Sequence, residues 1–329
     1  MTVAGEPLEA VAEVGPARLL ELERQSLAGG RGERLRRYWR ERLEGRPLET
    51  ELPYDHPRPA EADWRALRAE AHLEPAALAR LEALAREHPC SLFVLVAAAY
   101  AALLARWSGS RDLLFATPTR GQRTPELARV VGYLVNPVVL RLALAPGATF
   151  ESLLAETRRA ALGALRHLAL PFPLLVEELG GAGASGRAAV TDCFFSFEQA
   201  PPGSADSLVG FALGLPGHTL ESGGLQLASV PLPCPAAQFD LSLAAGPTSR
   251  GLALVLVGRR SLFELLSAES EHYSLLSAHL NTLYDGLEAN ARLRSYATQI
   301  EDLATAHELH LDDAALVRRG ADGKVDVVR

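Results

Sequence analysis

The sequence predicts an α/β fold in which a mixed β-sheet is packed with helices. Three observations carry this. Segments with apolar residues at helical spacing are interleaved with short runs rich in Val, Leu and Phe. The two kinds do not alternate strictly, and three late strand-like runs follow one another, which disfavours a doubly wound parallel sheet. The chain has 329 residues, 48% hydrophobic and 22% charged, enough for one or two sizeable cores.

The elements follow in order. Residues 1–19 are a leader, and a helical pattern runs from Pro16 to Glu44. A proline-rich linker, LPYDHPRPAEADW, precedes an alternating strand from Leu67 to Leu73. Pro75 opens a helix with Leu78, Leu81, Leu84 and Ala85 at helical spacing. Ser91 caps an apolar helix to Trp107, which Ser108-Gly109-Ser110 stops. Asp112–Thr117 is a short buried strand. Thr124 caps a helix with Pro125 at its first position and Glu126 in its first turn. Pro137–Leu144 reads as a strand, Thr149 caps a helix to His167, and Pro171 opens a short helix to Leu179. Gly180–Gly186 is a flexible loop. Strands are expected at Asp192–Glu198, Gln238–Ala244 and Leu252–Val257, then a helix from Leu262 to about Asn290. Residues 291–329 form a polar tail, helical through His307.

Composition excludes some functions. Lys plus Arg is 33 and Asp plus Glu is 40, a net charge of −7, so a nucleic-acid partner is not expected. The basic stretch from Arg31 to Arg42 instead suits i, i+4 pairs with Glu33 and Glu41. Cys90, Cys193 and Cys234 are far apart and lack zinc spacing; they read as reduced thiols of a cytoplasmic protein. The N-terminus lacks a basic start followed by an apolar run, so no signal peptide is expected. Leu92–Ala105 is too short to span a bilayer, so no membrane association is expected.

Gly132, Tyr133, Val135, Asn136, Leu140 and Arg141 fall in order on the motif GxFVNTxxLR. With them the chain resembles the condensation domains of nonribosomal peptide synthetases. Further segments match in family order. Tyr38-Trp39-Arg40-Glu41-Arg42-Leu43 resembles a YWxxxL helix, and Leu52 to Pro59 an LPxDxPRP linker. Ser91-Leu92-Phe93 and Leu103 to Gly109 are similar to TLF…LLxRxSG. His167, Leu170, Pro171 and Phe172 fall on HQDxPFE, Glu198 to Pro201 on a QNAP-like block, and Gln238 to Leu241 on a KFDL-like block. The resemblance covers about residues 20–290. It implies a chloramphenicol-acetyltransferase-like lobe, the second of two.

The family's HHxxxDG motif is not in this sequence, and its nine histidines are all isolated. The resemblance therefore implies a C-terminal lobe, with no catalytic residue of its own. Such a lobe would help form amide bonds between carrier-bound acyl and aminoacyl thioesters when an N-terminal lobe supplies the histidine. No cofactor or metal would be bound directly. Substrates would arrive on the phosphopantetheine of peptidyl or acyl carrier proteins, and the other partners would be an N-terminal lobe or an adjacent synthetase module. The alternative is a non-catalytic module that binds a carrier protein or a tailoring enzyme. Departures from the pattern fall on the acceptor side: Pro137 stands for Thr, Leu168 and Ala169 stand for Gln and Asp, and the RDxSRxPL block is barely recognisable at Ser185-Gly186-Arg187. Residues after about 290 do not resemble the start of an adenylation domain.

The tunnel or motif residues carried over are Arg120, Tyr133, Asn136, Arg141, His167, Phe172 and Asp240. The amide of Asn136 can donate and accept, so it can hold a tunnel wall or simply a helix-to-strand turn. Arg120 can meet a phosphate or carboxylate bidentately, or lie on the surface in a salt bridge. His167 suits the C-terminal end of a helix, and Phe172 a core position. Asp240, on an apolar strand, needs a partner if buried. Neither Cys193 nor Ser196 lies in a GxSxG elbow, and His307 with His310 lacks HExxH spacing. Half of a lobe interface should be uncovered, with long apolar segments at 91–105 and 252–257.

Overall fold

The structure is a computed structural model. It describes residues 16–45, 48, 50–61, 63–121, 133–179, 190–201, 207–231 and 236–263, and the strand backbone of four short terminal segments. The elements in chain order are β1 (Thr2–Val3), β2 (Glu6–Pro7), α1 (Pro16–Leu27), α2 (Gly29–Leu43), β3 (Ala66–Leu73), α3 (Pro75–Glu87) and α4 (Leu92–Ser108). Then come β4 (Asp112–Thr119), β5 (Asn136–Ala143), α5 (Phe150–Arg166), α6 (Phe172–Glu178), β6 (Cys193–Phe197) and α7 (Ser207–Ala212). The last are β7 (Thr219–Ser222), β8 (Leu225–Ala228), β9 (Leu241–Thr248), β10 (Gly251–Arg259), β11 (Leu316–Arg319) and β12 (Val325–Val328).

The core is a six-stranded mixed sheet in the order β3-β10-β9-β6-β4-β5. The pairs β3/β10, β10/β9 and β4/β5 are antiparallel. Strand β6 joins the two halves by parallel pairing, Ala116 opposite Phe194 and Cys193 opposite Leu241. Helix α4 is apolar up to its last turn because most of it is enclosed; Leu95, Ala97, Ala98, Tyr100, Ala101 and Leu104 have no exposed surface. The Ser91 hydroxyl caps its start by accepting from the Val94 N–H at 3.3 Å, and Gly109 ends it in the left-handed conformation, φ 68°. The Thr149 hydroxyl caps α5 in the same way, accepting from the Ser152 N–H at 3.2 Å. Leu153, Leu154, Ala160, Ala161 and Ala164 form the buried stripe of α5. Its small residues let it lie close over β5.

The structure corrects several expectations. The helix expected over Pro16–Glu44 is two helices. Ala28 is extended and Gly29 is left-handed, φ 64°, so the chain turns there; a Cβ on Gly32 would clash with the Leu27 carbonyl. The strand expected from Gln238 begins at Leu241, because the chain bends over residues 238–240, where Asp240 meets the buried ion pairs described below and Phe239 stacks on Phe194. Helix α7 and the β7–β8 hairpin were not expected. The apolar segments 91–105 and 252–257 are interior: α4 and β10 are largely buried within the described residues. The large apolar side chains that are exposed lie elsewhere, at Leu162 and Leu165 on α5, and at Leu225, Leu227 and Val230 on and after β8. The expected helices after Thr124 and Leu262, the loop 180–186, the tail to His310, Gly132, the Ser185–Arg187 block and Cys234 lie outside the described residues. No single described helix is long and apolar enough to cross a membrane.

Candidate functional site

A groove of about 470 Å³ opens between α1, the segment entering β5, and the connection from α5 to α6. Glu23 and Gln25 of α1 and Arg31 of α2 line one side. Tyr133 and Val135 line the floor, and Leu168 and Pro171 the far wall. Tyr133 is 82% exposed and Val135 42%, so this side of the groove faces solvent.

Asn136 builds the junction of floor and wall. It is the first residue of β5 rather than a turn residue, opposite Thr119 in the ladder. The Thr119 hydroxyl donates to its carbonyl at 2.6 Å. Its side-chain Nδ2 donates to Leu168 O at 2.8 Å and Leu170 O at 3.0 Å, while Oδ1 accepts from the Phe172 N–H at 2.8 Å. One amide thus uses both donor hydrogens and its acceptor to hold the 168–172 backbone. Gly121 completes the entrance. Its φ is +66°, and a Cβ there would lie 2.5 Å from Leu134 O.

The same connection is held from behind. The His167 and Tyr38 rings stack at 3.7 Å, 3° from parallel. His167 Nδ1–H donates to Gly163 O at 2.7 Å, and Trp39 Nε1–H donates to His167 O at 3.2 Å. Burial raises the Tyr38 phenol pKa, and nearby Arg42 opposes this in part. His167 is thus the C-cap residue of α5, packed and hydrogen-bonded. Phe172 is half-buried against the main core rather than fully enclosed.

The other expected residues do not converge here. Arg120 is exposed at the end of β4. Arg141 is 4% exposed and makes a bidentate pair with Asp112, Nε donating to Oδ1 at 2.8 Å and Nη2 to Oδ2. Asp240, 1% exposed, anchors a second buried node. It accepts from the Tyr54 hydroxyl at 2.8 Å and from both Arg58 Nη atoms, and Arg259 Nε lies 3.5 Å away. Arg259 also sits over the Trp64 ring at 4.4 Å. Burial first, and then the charges of Asp240 and Asp192, push the Tyr54 phenol far up, so it stays a donor. This node ties the proline-rich linker to the ends of β9 and β10. Sequence reasoning missed the contributions of Glu23, Gln25 and Gly121 to the groove. A glycine directly before a strand-to-strand excursion was the one local signal for Gly121.

A model of the condensation domain family matches residues 18–301. A linear gramicidin synthase of Brevibacillus parabrevis is 31% identical over 254 residues, covering 77% of this chain. The chain spans small parts of the curated relatives it matches: 5% of that synthase and 3% of the malpinin synthetase of Mortierella alpina. Among solved structures, a holo four-domain nonribosomal peptide synthetase bound to AMP and glycine aligns over 84% of this chain and 20% of that one, with a TM-score of 0.71 at 22% identity. The X-domain in complex with OxyB from teicoplanin biosynthesis aligns over 87% and 60%, with a TM-score of 0.68 at 24% identity.

Proposed function

The chain belongs to the condensation domain family, and from that premise we propose that it is the acceptor-side lobe of an amide-forming unit in a nonribosomal peptide synthetase. The observation that carries the reading is the groove floored by Tyr133, Val135 and Asn136, the residues that fall on the family's GxFVNTxxLR motif. The groove is mostly apolar in its lining and open to solvent at Tyr133 and Val135. Those properties suit an extended pantetheine arm with an aminoacyl thioester at its tip. Arg31 at the edge and Arg120 nearby offer cations for the arm's phosphate. In the reaction the amine attacks the carbonyl of a second thioester, the C–N bond forms, the C–S bond breaks, and the amine loses a proton to a base or to the leaving thiolate. Among the described residues lining the groove there is no histidine to act as that base, and His167 behind it is committed to Tyr38 and Gly163 O. The base therefore comes from an HHxxxDG-bearing lobe placed against this one.

The exposed apolar side chains have places in this reading. Leu162 and Leu165 lie on the outer face of α5 with Arg158, Arg159 and Arg166 exposed around them, which suits an acidic carrier protein. Leu225, Leu227 and Val230 line an exposed ribbon suited to a partner lobe. A second reading, a non-catalytic docking module, is supported by the likeness in fold to the X-domain, which is solved in complex with OxyB. The test is single-turnover amide formation with both loaded carriers. Product is expected only when a matching N-terminal lobe is added. Product from this chain alone would overturn the need for that lobe, and no product with any such lobe would favour the docking module.

A further inference from the structure

The groove wall made by Leu168, Ala169 and Pro171 has its hydrogen-bonded side on Asn136 and its rear on α2. Tyr38 does not line the groove, yet its ring covers the whole His167 imidazole at 3.7 Å. Its neighbour Trp39 takes the His167 carbonyl, and the Tyr38 and Trp39 rings meet edge to face at 5.0 Å. Gly163, in the last turn of α5, makes this possible. A Cβ there would run into the Tyr38 hydroxyl oxygen and lie 3.3 Å from Cζ. Glycine inside a helix is ordinarily a defect that alanine repairs. Here it is the opening through which α2 reaches the end of α5.

We propose that Tyr38 is a positioning residue for the groove: through His167, seated over Gly163, it fixes the α5–α6 connection and hence the wall that contacts the substrate arm. Trp39 belongs to the main buried cluster, whereas Tyr38 packs only partly buried against it, so removing the Tyr38 ring leaves that cluster's buried residues in place. The connection depends on it more. Its other side-chain hydrogen bonds among the described residues are the three of Asn136, one from Trp39 Nε1 to His167 O and one from His167 Nδ1 to Gly163 O. With Tyr38 removed, the His167 end of the connection loses its stacked ring and keeps only backbone bonds, the Nδ1 bond to Gly163 O and the bond from Trp39. The proposal rests on the groove reading above for its functional consequence, but not for its structural one.

The test separates the two. Hydrogen exchange in the purified chain reads the amides of Leu170, which donates to His167 O, and Phe172, which donates to Asn136 Oδ1. Tyr38→Ala is expected to speed exchange at both by about tenfold or more, with the amides of α4 and β4 unchanged. Tyr38→Phe, which keeps the ring, should stay near wild type. Gly163→Ala should act like Tyr38→Ala despite its better helix propensity. Adding Tyr38→Phe to Gly163→Ala removes the clashing oxygen and should restore slow exchange. Unchanged exchange in Tyr38→Ala, or no recovery in the double variant, overturns the proposal. Titration of wild type and variants with 4′-phosphopantetheine gives the second readout. The amide signals of Tyr133 and Val135 should shift in wild type and Tyr38→Phe, and respond at least about tenfold more weakly in Tyr38→Ala. If the exchange pattern holds but wild type shows no shift, the groove's assigned occupant is wrong and the positioning role stands.

Discussion

Replacing Asn136 by alanine removes three hydrogen bonds at once and leaves Leu168 O, Leu170 O and the Phe172 N–H without side-chain partners. Each net bond contributes about 0.5–1.5 kcal/mol, so the set is worth about 1.5–4.5 kcal/mol. The site is half-buried and borders an open groove, so water replaces part of the loss. We expect a loss of about 2–3 kcal/mol, which in a chain of 329 residues lowers Tm by roughly 3–5 °C. Asn136→Asp sharpens the test. It keeps the acceptor for Phe172 but points a carboxylate at two carbonyl oxygens, so at neutral pH it should be worse than alanine. Its folded-state carboxyl pKa would then lie above the unfolded value of about 3.9. A raised acid binds protons more readily when folded, so the stability of Asn136→Asp should recover as pH falls below the folded pKa. Calorimetry between pH 4 and 8 measures both. Asn136→Ala melting within 1 °C of wild type, or Asn136→Asp equal to wild type at pH 7, would refute the wall-holding role.

Other expectations follow from the same geometry. Asp240→Ala takes the nearest buried carboxylate away from Arg58 and Arg259 and should cost about 3–5 kcal/mol by thermal melting, whereas a distant exposed Asp→Ala should cost little. His218 is 5% exposed, and burial first, then Arg250 and His72, hold its pKa below 6.5. The unfolded chain therefore binds a proton before the folded one does, and the stability it lends to the α7 and β7–β8 region should decline as pH falls from about 6.5 toward the folded pKa. Hydrogen exchange of Ser229, bonded to His218 O, would show this, and His218→Gln should abolish the dependence. The isolated chain should self-associate through its exposed ribbon. Leu225→Lys with Leu227→Lys should reduce the scattering mass without lowering Tm, and unchanged scattering would place the contact elsewhere.

Much of the fold was already written in local chemistry. Ser91 and Thr149 are caps in sequence and in space, because a cap uses a donor only three residues away. Helix α4 and strands β4, β5 and β10 follow from apolar runs whose burial is their only stable arrangement. The β7–β8 hairpin was legible too: Gly223 and Gly224 both take positive φ, the signature of a two-residue turn between Ser222 and Leu225, and the Gly-Gly pair stood in plain sight. The break of α1 from α2 at Ala28-Gly29 was likewise a glycine signal. What only the tertiary structure decided is who meets whom. The sequence places Asn136 before a proline and His167 after a helix, 31 positions apart, with nothing to say that one holds the turn beside the other. Tyr38 reaches Gly163 across 125 positions, and Asp240 reaches Arg58 across 182. Long-range partners are chosen by the packing of whole elements, with no local period to announce them. The ordered motifs marked which residues belong to the family; the sheet and α2 decided that Tyr133 and Asn136 border the groove, while Arg141 and Asp240 hold the framework.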